Sequence, residues 1–305
     1  MLLVVVGCGS SNPAGGDDAG AGDDAMGDGM SSCAAGQWCT EVSPVANTLL
    51  HAVSAVNTGD VFAVGDTGTI LRRANNTWTA MQSGTTENLR GVWALDGSDA
   101  WAVGEAGTIL RYDGTSWAPV GGAGTLDLFA VWGTSANDVY VSGTGTVLHW
   151  NGSMFSTMPI AGDPFAISGL GTNDVWVTGE NSRVAHFNGT WTTGINPGAG
   201  NTYFGVLAMA ANDVWVSTFT PGKETLRFDG STWTPHPAAG TGFLGFHGIT
   251  ASDIWAAGGS KVGHWDGSTW TTESPGGPAA QFWGVSGAGS FVWIVGSDSL
   301  ILHRN

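Results

Sequence analysis

Positive charge is the scarcest property of this chain: nine Lys plus Arg face 25 Asp plus Glu, a formal charge of -16 over 305 residues. Attachment to phosphates depends on clustered cations, and the few here are scattered. This argues against a nucleic-acid partner and against adhesion to an anionic membrane surface. Cysteine is rarer still, with three in the chain. Cys33 and Cys39 have no neighbouring His and no second Cys pair, so they make a poor zinc site. No stretch approaches the roughly 20 apolar residues that a membrane helix needs. Catalytic signatures are missing too, with no Gly-x-Ser-x-Gly elbow, His-Glu-x-x-His helix or phosphate-binding loop. Nothing calls for a cofactor.

What is abundant points one way. Fifty glycines and 16 tryptophans describe many tight turns and large buried aromatics, with few of the residues that favour solvated helices. An all-β fold follows. Part of the acidity has a local source, because Asp17, Asp18, Asp23, Asp24 and Asp28 lie in residues 9 to 32, a Gly, Ala, Asp and Ser stretch with almost no apolar bulk. Such a segment cannot bury enough surface to offset the entropy of ordering, so residues 9–36 read as a flexible tether.

The opening MLLVVVGCGS is a short apolar run ending in Val-Val-Gly-Cys and resembles the lipobox of bacterial lipoproteins, though no basic residues precede it. On that resemblance residues 1–8 form a signal segment and Cys8 becomes the lipidated first residue of the mature protein. The implied location is the envelope of a Gram-negative bacterium, outer membrane or periplasm, with membrane contact through the lipid only. In that oxidising compartment a Cys33–Cys39 disulfide would close a small loop worth about 2 kcal/mol. Two free thiols are the alternative.

From about residue 37 to 305 the chain repeats itself. The marker is an acidic residue leading an alternating apolar run: Asp60 in DVFAVG, Asp99 in DAWAVG, Asp138 in DVYVSG, Asp174 in DVWVTG, Asp213 in DVWVST and Asp253 in DIWAAG. A seventh copy has Phe291 in the Asp place. Each unit holds four strand-like runs, a to d, which in the second unit are Gly91 to Leu95, Ala100 to Gly104, Thr108 to Tyr112 and Ser116 to Val120. Asp-Gly or Asn-Gly between c and d suggests two-residue type I′ hairpins. Four antiparallel strands per repeat is the signature of a propeller blade. Small residues on strand a, such as Ala94, Gly133 and Gly169, suit a strand near a crowded axis, while the recurring tryptophans on strands b and d suit sheet-on-sheet packing.

The last unit ends in strand c, and an orphan d-like strand, Gln37 to Thr40, precedes the first. If the N-terminal strand completes the last blade, both ends are explained and no sheet edge stays open. The expectation is a seven-bladed β-propeller of four-stranded blades, monomeric, closed by an N-terminal outer strand.

The string AVGEAGTILRYDGTSW resembles the repeats of photosystem II assembly factor-like propellers and, more distantly, the Asp boxes of bacterial neuraminidases. It also looks like secreted propeller lipoproteins of Gram-negative bacteria. An Asp box has one more residue before its Trp than the Asp-Gly-Thr-Ser-Trp found here, so the local turn differs. The neuraminidase arginine triad is absent, since every arginine but Arg90 and Arg183 sits at one strand c position or beside it.

Two constellations are candidates for function. A basic or imidazole residue recurs on every strand c: Arg72, Arg111, His149, His186, Arg227, His264 and His303. A group present in every blade belongs to the scaffold, and its natural partner is the marker Asp of its own blade. Function should instead sit where the repeat breaks, on the face shared by the b–c and d–a loops. That face collects Lys223 and the carboxylates Asp66, Glu105, Asp127, Asp163, Glu180, Glu224 and Asp298, and the carboxylates would attract a basic partner or a cation or serve simply as solvated loop charges. Trp93 and Trp132 on strand a would plug the axis. The sequence thus suggests a non-catalytic scaffold for an unidentified protein or glycan. The alternatives are a lectin-like polysaccharide binder and a hydrolase or lyase built from loop carboxylates.

Overall fold

The alternating runs of each unit form short antiparallel strands that pair in chain order, giving seven separate four-stranded sheets. The computed structural model describes residues 34–181, 183–193, 195, 197–198, 200–222, 224–238, 242–275 and 280–305. Blade 2 runs from strand a, Leu89–Asp96, through b, Asp99–Gly104, and c, Ile109–Tyr112, to d, Trp117–Pro119. Strand a therefore begins two residues earlier than the apolar run suggests. Blade 1 spans 50–81, and blades 3 to 6 span 128–159, 164–193, 206–235 and 245–273. Blade 7 comprises Phe282–Ala288, Phe291–Gly296, Ile301–Arg304 and, as its outer strand, Trp38–Thr40. The chain is a seven-bladed β-propeller closed by its N-terminal strand. Its described helices are single 3-10 turns in b–c loops, so none among the described residues is long and apolar enough to cross a membrane.

Closure reproduces the packing of the other blades. Trp38 pairs with Arg304, Cys39 with His303 and Thr40 with Leu302. This register puts the Trp38 ring edge-on to Trp255 of blade 6 at 5.6 Å, as Trp78 meets Trp293 and Trp270 meets Trp215, each at 5.8 Å. The core lies between blades, where strand b of one presents an aromatic to strand d of the next. Trp101, Trp176, Trp215 and Trp293 are there 2% exposed or less.

The Asp-Gly connections are not two-residue type I′ hairpins. Tyr112 pairs with Trp117, leaving a four-residue loop, and only Gly114 takes a positive φ, of 92°. The Asp113 carboxylate closes this loop by accepting the N–H groups of Thr115 and Ser116, both at 2.8 Å. Hydrogen bonds, first that from the Thr115 hydroxyl, hold its pKa down to about 2. Two-residue geometry occurs instead in blade 1, where Asn75 and Asn76 have φ of 50° and 60° between the paired Ala74 and Thr77.

The innermost contacts follow a rule that links each blade to the next. Where the strand a residue facing the following blade is Ser, its hydroxyl accepts the N–H of an Ala there: Ser54 from Ala94 at 3.0 Å, Ser168 from Ala208 at 3.1 Å and, across the closure, Ser286 from Ala55 at 3.0 Å. Where that residue is large, the following blade has Gly. A Cβ on Gly133 would lie 2.9 Å from the Trp93 ring, one on Gly169 2.6 Å from Trp132, one on Gly248 against Met209 and 3.0 Å from Leu207, and one on Gly287 2.7 Å from His247. Distances under 3 Å are repulsive, so these small residues make room for a neighbour's side chain.

Candidate binding site at the axial mouth

The strand c cations form the scaffold ladder expected from their repetition. Arg72 Nη2 meets Asp60 at 2.8 Å, Arg111 Nη2 meets Asp99 at 2.8 Å and Arg227 Nε meets Asp213 at 2.8 Å. His149, His186 and His264 reach Asp138, Asp174 and Asp253 through Nε2 at 2.7, 2.8 and 2.9 Å. Each cation or imidazole also covers the aromatic that precedes it on strand b. His186 stacks on Trp176 and His264 on Trp255, with centroids 4.1 and 4.2 Å apart, and Arg111 sits 5.1 Å over Trp101. Burial pushes the Asp138 pKa up, but hydrogen bonds from Thr134, His149 and Thr172 outweigh it and leave it below the usual carboxylate value. The hydrogen bond from Arg111 to Asp99 raises the guanidinium pKa further.

Blade 7 departs from the ladder because Phe291 offers no carboxylate. Its His303, 2% exposed, has Glu41 in place of a marker Asp, with Nδ1 and Oε1 2.9 Å apart. Glu41 follows the closing strand directly, so the N-terminus supplies a charge partner as well as an edge.

The acidic loops are mostly occupied by structural work. Asp127 Oδ1 accepts the N–H of Ala106 at 3.1 Å, and Asp163 Oδ1 that of Gly145 at 3.0 Å, so each fastens the b–c turn of the preceding blade. Glu224 is 2% exposed and accepts from Gly222 and Ala238. Asp66 accepts from His51 at 2.7 Å, and Glu105 binds Arg90 and, at 3.0 Å, Asn88. Glu180 and Asp298 are exposed. Cys8, Cys33 and Lys223 lie outside the described residues, and Cys39 is disulfide-bonded. Among the described residues no three His, Cys, Asp or Glu side chains are grouped as metal ligands.

A different set of residues stands out on that face. In five blades strand a shifts register at its second residue, a β-bulge at His51, Arg90, Phe129, Phe165 and Trp283. A bulge frees one side chain from the alternation and re-aims it. Phe204 and Leu244, just ahead of strands Val206–Ala210 and Gly245–Thr250, hold the same place in blades 5 and 6. Together they ring the axis at the mouth of the loop face.

The ring has two arcs. On one, Phe129 meets Phe165 edge-on at 5.5 Å, Phe165 stacks on Phe204 at 6.0 Å, and Phe204 meets Phe219 of the long blade 5 loop at 4.8 Å. Phe219 is 49% exposed and Trp283 38%. On the other arc stand His51 with Asp66 and Arg90 with Glu105. Burial lowers the His51 pKa more than Asp66 raises it, so the ring is neutral at pH 7. This position carries five residue types over seven blades, Phe recurring in three. In the sequence a large residue there reads as one more alternating strand residue.

No protein-family model matches the chain, and no curated protein matches it. Solved structures do. YCF48 bound to D1 peptide aligns with a TM-score of 0.70 at 14% identity, over 88% of this chain and 94% of that one. A catalytically inactive virginiamycin B lyase from Staphylococcus aureus with quinupristin aligns with a TM-score of 0.77 at 13% identity, over 88% and 98%. The WD40 β-propeller domain of Doa1 aligns with a TM-score of 0.73 at 12% identity, over 85% and 93%. At these identities the likeness establishes the fold.

Proposed function

We propose that this chain is a non-catalytic, envelope-anchored interaction module that receives an extended segment of a partner protein at its axial mouth. The aromatic arc carries the reading, because six large apolar side chains converge on one opening and two of them, Phe219 and Trp283, are 49% and 38% exposed. An exposed ring already packed against a neighbour, as Phe219 is against Phe204, offers contact area at low entropic cost, the character of a binding hot spot. That a propeller of the same fold, YCF48, has been seen with a peptide bound supports a peptide ligand. The exposed indole of Trp283 favours a second reading, a polysaccharide binder, since sugars also stack on such rings.

Selection of displayed random peptides on the purified protein separates the two. Selected peptides should lose roughly tenfold in affinity with Phe165→Ala or Trp283→Ala, the loss of one anchoring aromatic. They should be unaffected by Leu170→Ser on the opposite face. Peptides indifferent to both mouth substitutions, or strong glycan-array signals that vanish with Trp283→Ala, would defeat the peptide reading. The anchor is proposed from the sequence alone, and Cys8→Ala should move the protein from the membrane fraction to the soluble one. A variant that still pellets with membranes after a high-salt wash would overturn it.

A further inference from the structure

The polar arc of the mouth specifies the charge of its occupant. We propose that the segment taken there belongs to a basic partner, with aromatic or long aliphatic side chains on the aromatic arc and a Lys or Arg against Asp66 and Glu105. This rests on the reading of the mouth as a peptide site. A carboxylate can only accept, so His51 donates from Nε2 to Asp66 and, being neutral, leaves that carboxylate's charge unbalanced. Arg90 balances Glu105 alone. The arc therefore holds two carboxylates against one guanidinium, and Asp66 has 38% of its side chain open to solvent. Trp283 meets the His51 ring at 5.6 Å in a T-shaped contact, so an exposed aromatic stands next to the residue that holds the unbalanced carboxylate.

The same charges disfavour other occupants. The chain's own residues 9 to 32 carry five aspartates and no base, and a second copy would bring an identical acidic face. A neutral glycan makes no use of the arc.

The test uses the full chain and two labelled, end-capped peptides of about 12 residues, identical in Phe and Leu content and differing only in Arg or Glu at two positions. Fluorescence anisotropy should show the Arg peptide binding at least about tenfold more tightly at low salt. Asp66→Asn with Glu105→Gln leaves Arg90 as the only charge of the arc and keeps hydrogen-bonding side chains in place, so the preference should vanish or reverse. Matched melting curves for this variant would show that the fold is retained. Glu105→Gln alone, which leaves the Asp66 turn intact, should give a partial loss. Equal binding of both peptides, still weakened by Phe165→Ala, would overturn the charge preference and leave the peptide site standing. No binding of either peptide, or binding indifferent to Phe165→Ala, would overturn the site itself.

Discussion

The strand b and c ladder and the strand a lining meet the same demand, filling space between neighbouring blades, in opposite ways. The ladder keeps one arrangement: an acidic residue opens strand b, a cation or imidazole answers from strand c, and an aromatic lies beneath it. The lining keeps only a relation between blades, Ser with Ala or a large residue with Gly, and lets the residues themselves vary. Uniformity marks the part that must be the same in each blade. Variation with compensation marks the crowded axis, and variation without it, as in the bulge residues, marks the axial mouth.

The largest expected effect tests whether blade 7 belongs to the ladder at all. A chain beginning at Thr48 lacks Trp38 and Glu41, leaving an open edge, an unanswered His303 and an uncovered Trp255. Losing a large packed aromatic typically costs about 3–5 kcal/mol, a large share of a domain's margin. It should melt far below a chain beginning at Ser32 and aggregate more, and equal melting and solubility would refute closure by that strand.

Next in size is the compensation at the axis. Gly133→Ala should cost about 1–3 kcal/mol through overpacking against Trp93 and the Asp138 carbonyl. In a Trp93→Ser background, which imitates the Ser54 and Ala94 pair, the same change should cost markedly less. Additive costs in a double-mutant cycle would show that the two positions are not coupled.

Smaller still is one rung of the ladder. Asp99→Asn keeps the shape but removes the charge facing Arg111, and the loss should be about 1–2 kcal/mol by chemical denaturation. No change would place the pair among surface contacts that contribute little.

The last effect is a pH slope. Burial lowers the pKa of His247 to about 4. The unfolded imidazole takes its proton near pH 6.5, so between these values the unfolded chain holds more protons and stability falls as pH falls. Burial acts in the same direction on His51 and His236. His247→Leu, which imitates Leu207 over Gly248, should flatten part of the decline in Tm between pH 7 and 4.5. An unchanged slope would mean that His247 is not the group responsible.

The ladder was legible because it is local and repeated: a partner eleven to fourteen residues away on the adjacent strand recurs in six blades. The c–d turns were misjudged because Asp-Gly suits a type I′ turn as a dipeptide, whereas here the Asp113 side chain closes a longer loop. The acidic face was seen as a set of charges. That Asp127 and Asp163 are spent on turns of the preceding blade depends on contacts about twenty residues apart in sequence.

The period of the apolar alternation and the marker residues were enough to determine the strand and blade number, which depend on hydrogen bonding between neighbours in the chain, and the closing strand, because the last unit lacks a d strand and an orphan one precedes the first. Only the tertiary structure could decide that Glu41 answers His303, that the Ser–Ala and large–Gly pairs interlock around the axis, and that seven bulge-level residues meet as one mouth. Those contacts join residues about forty positions or more apart, and no local preference encodes them. They exist because closing the ring brings every strand a to a common axis, where each side chain must fit the blade that follows it.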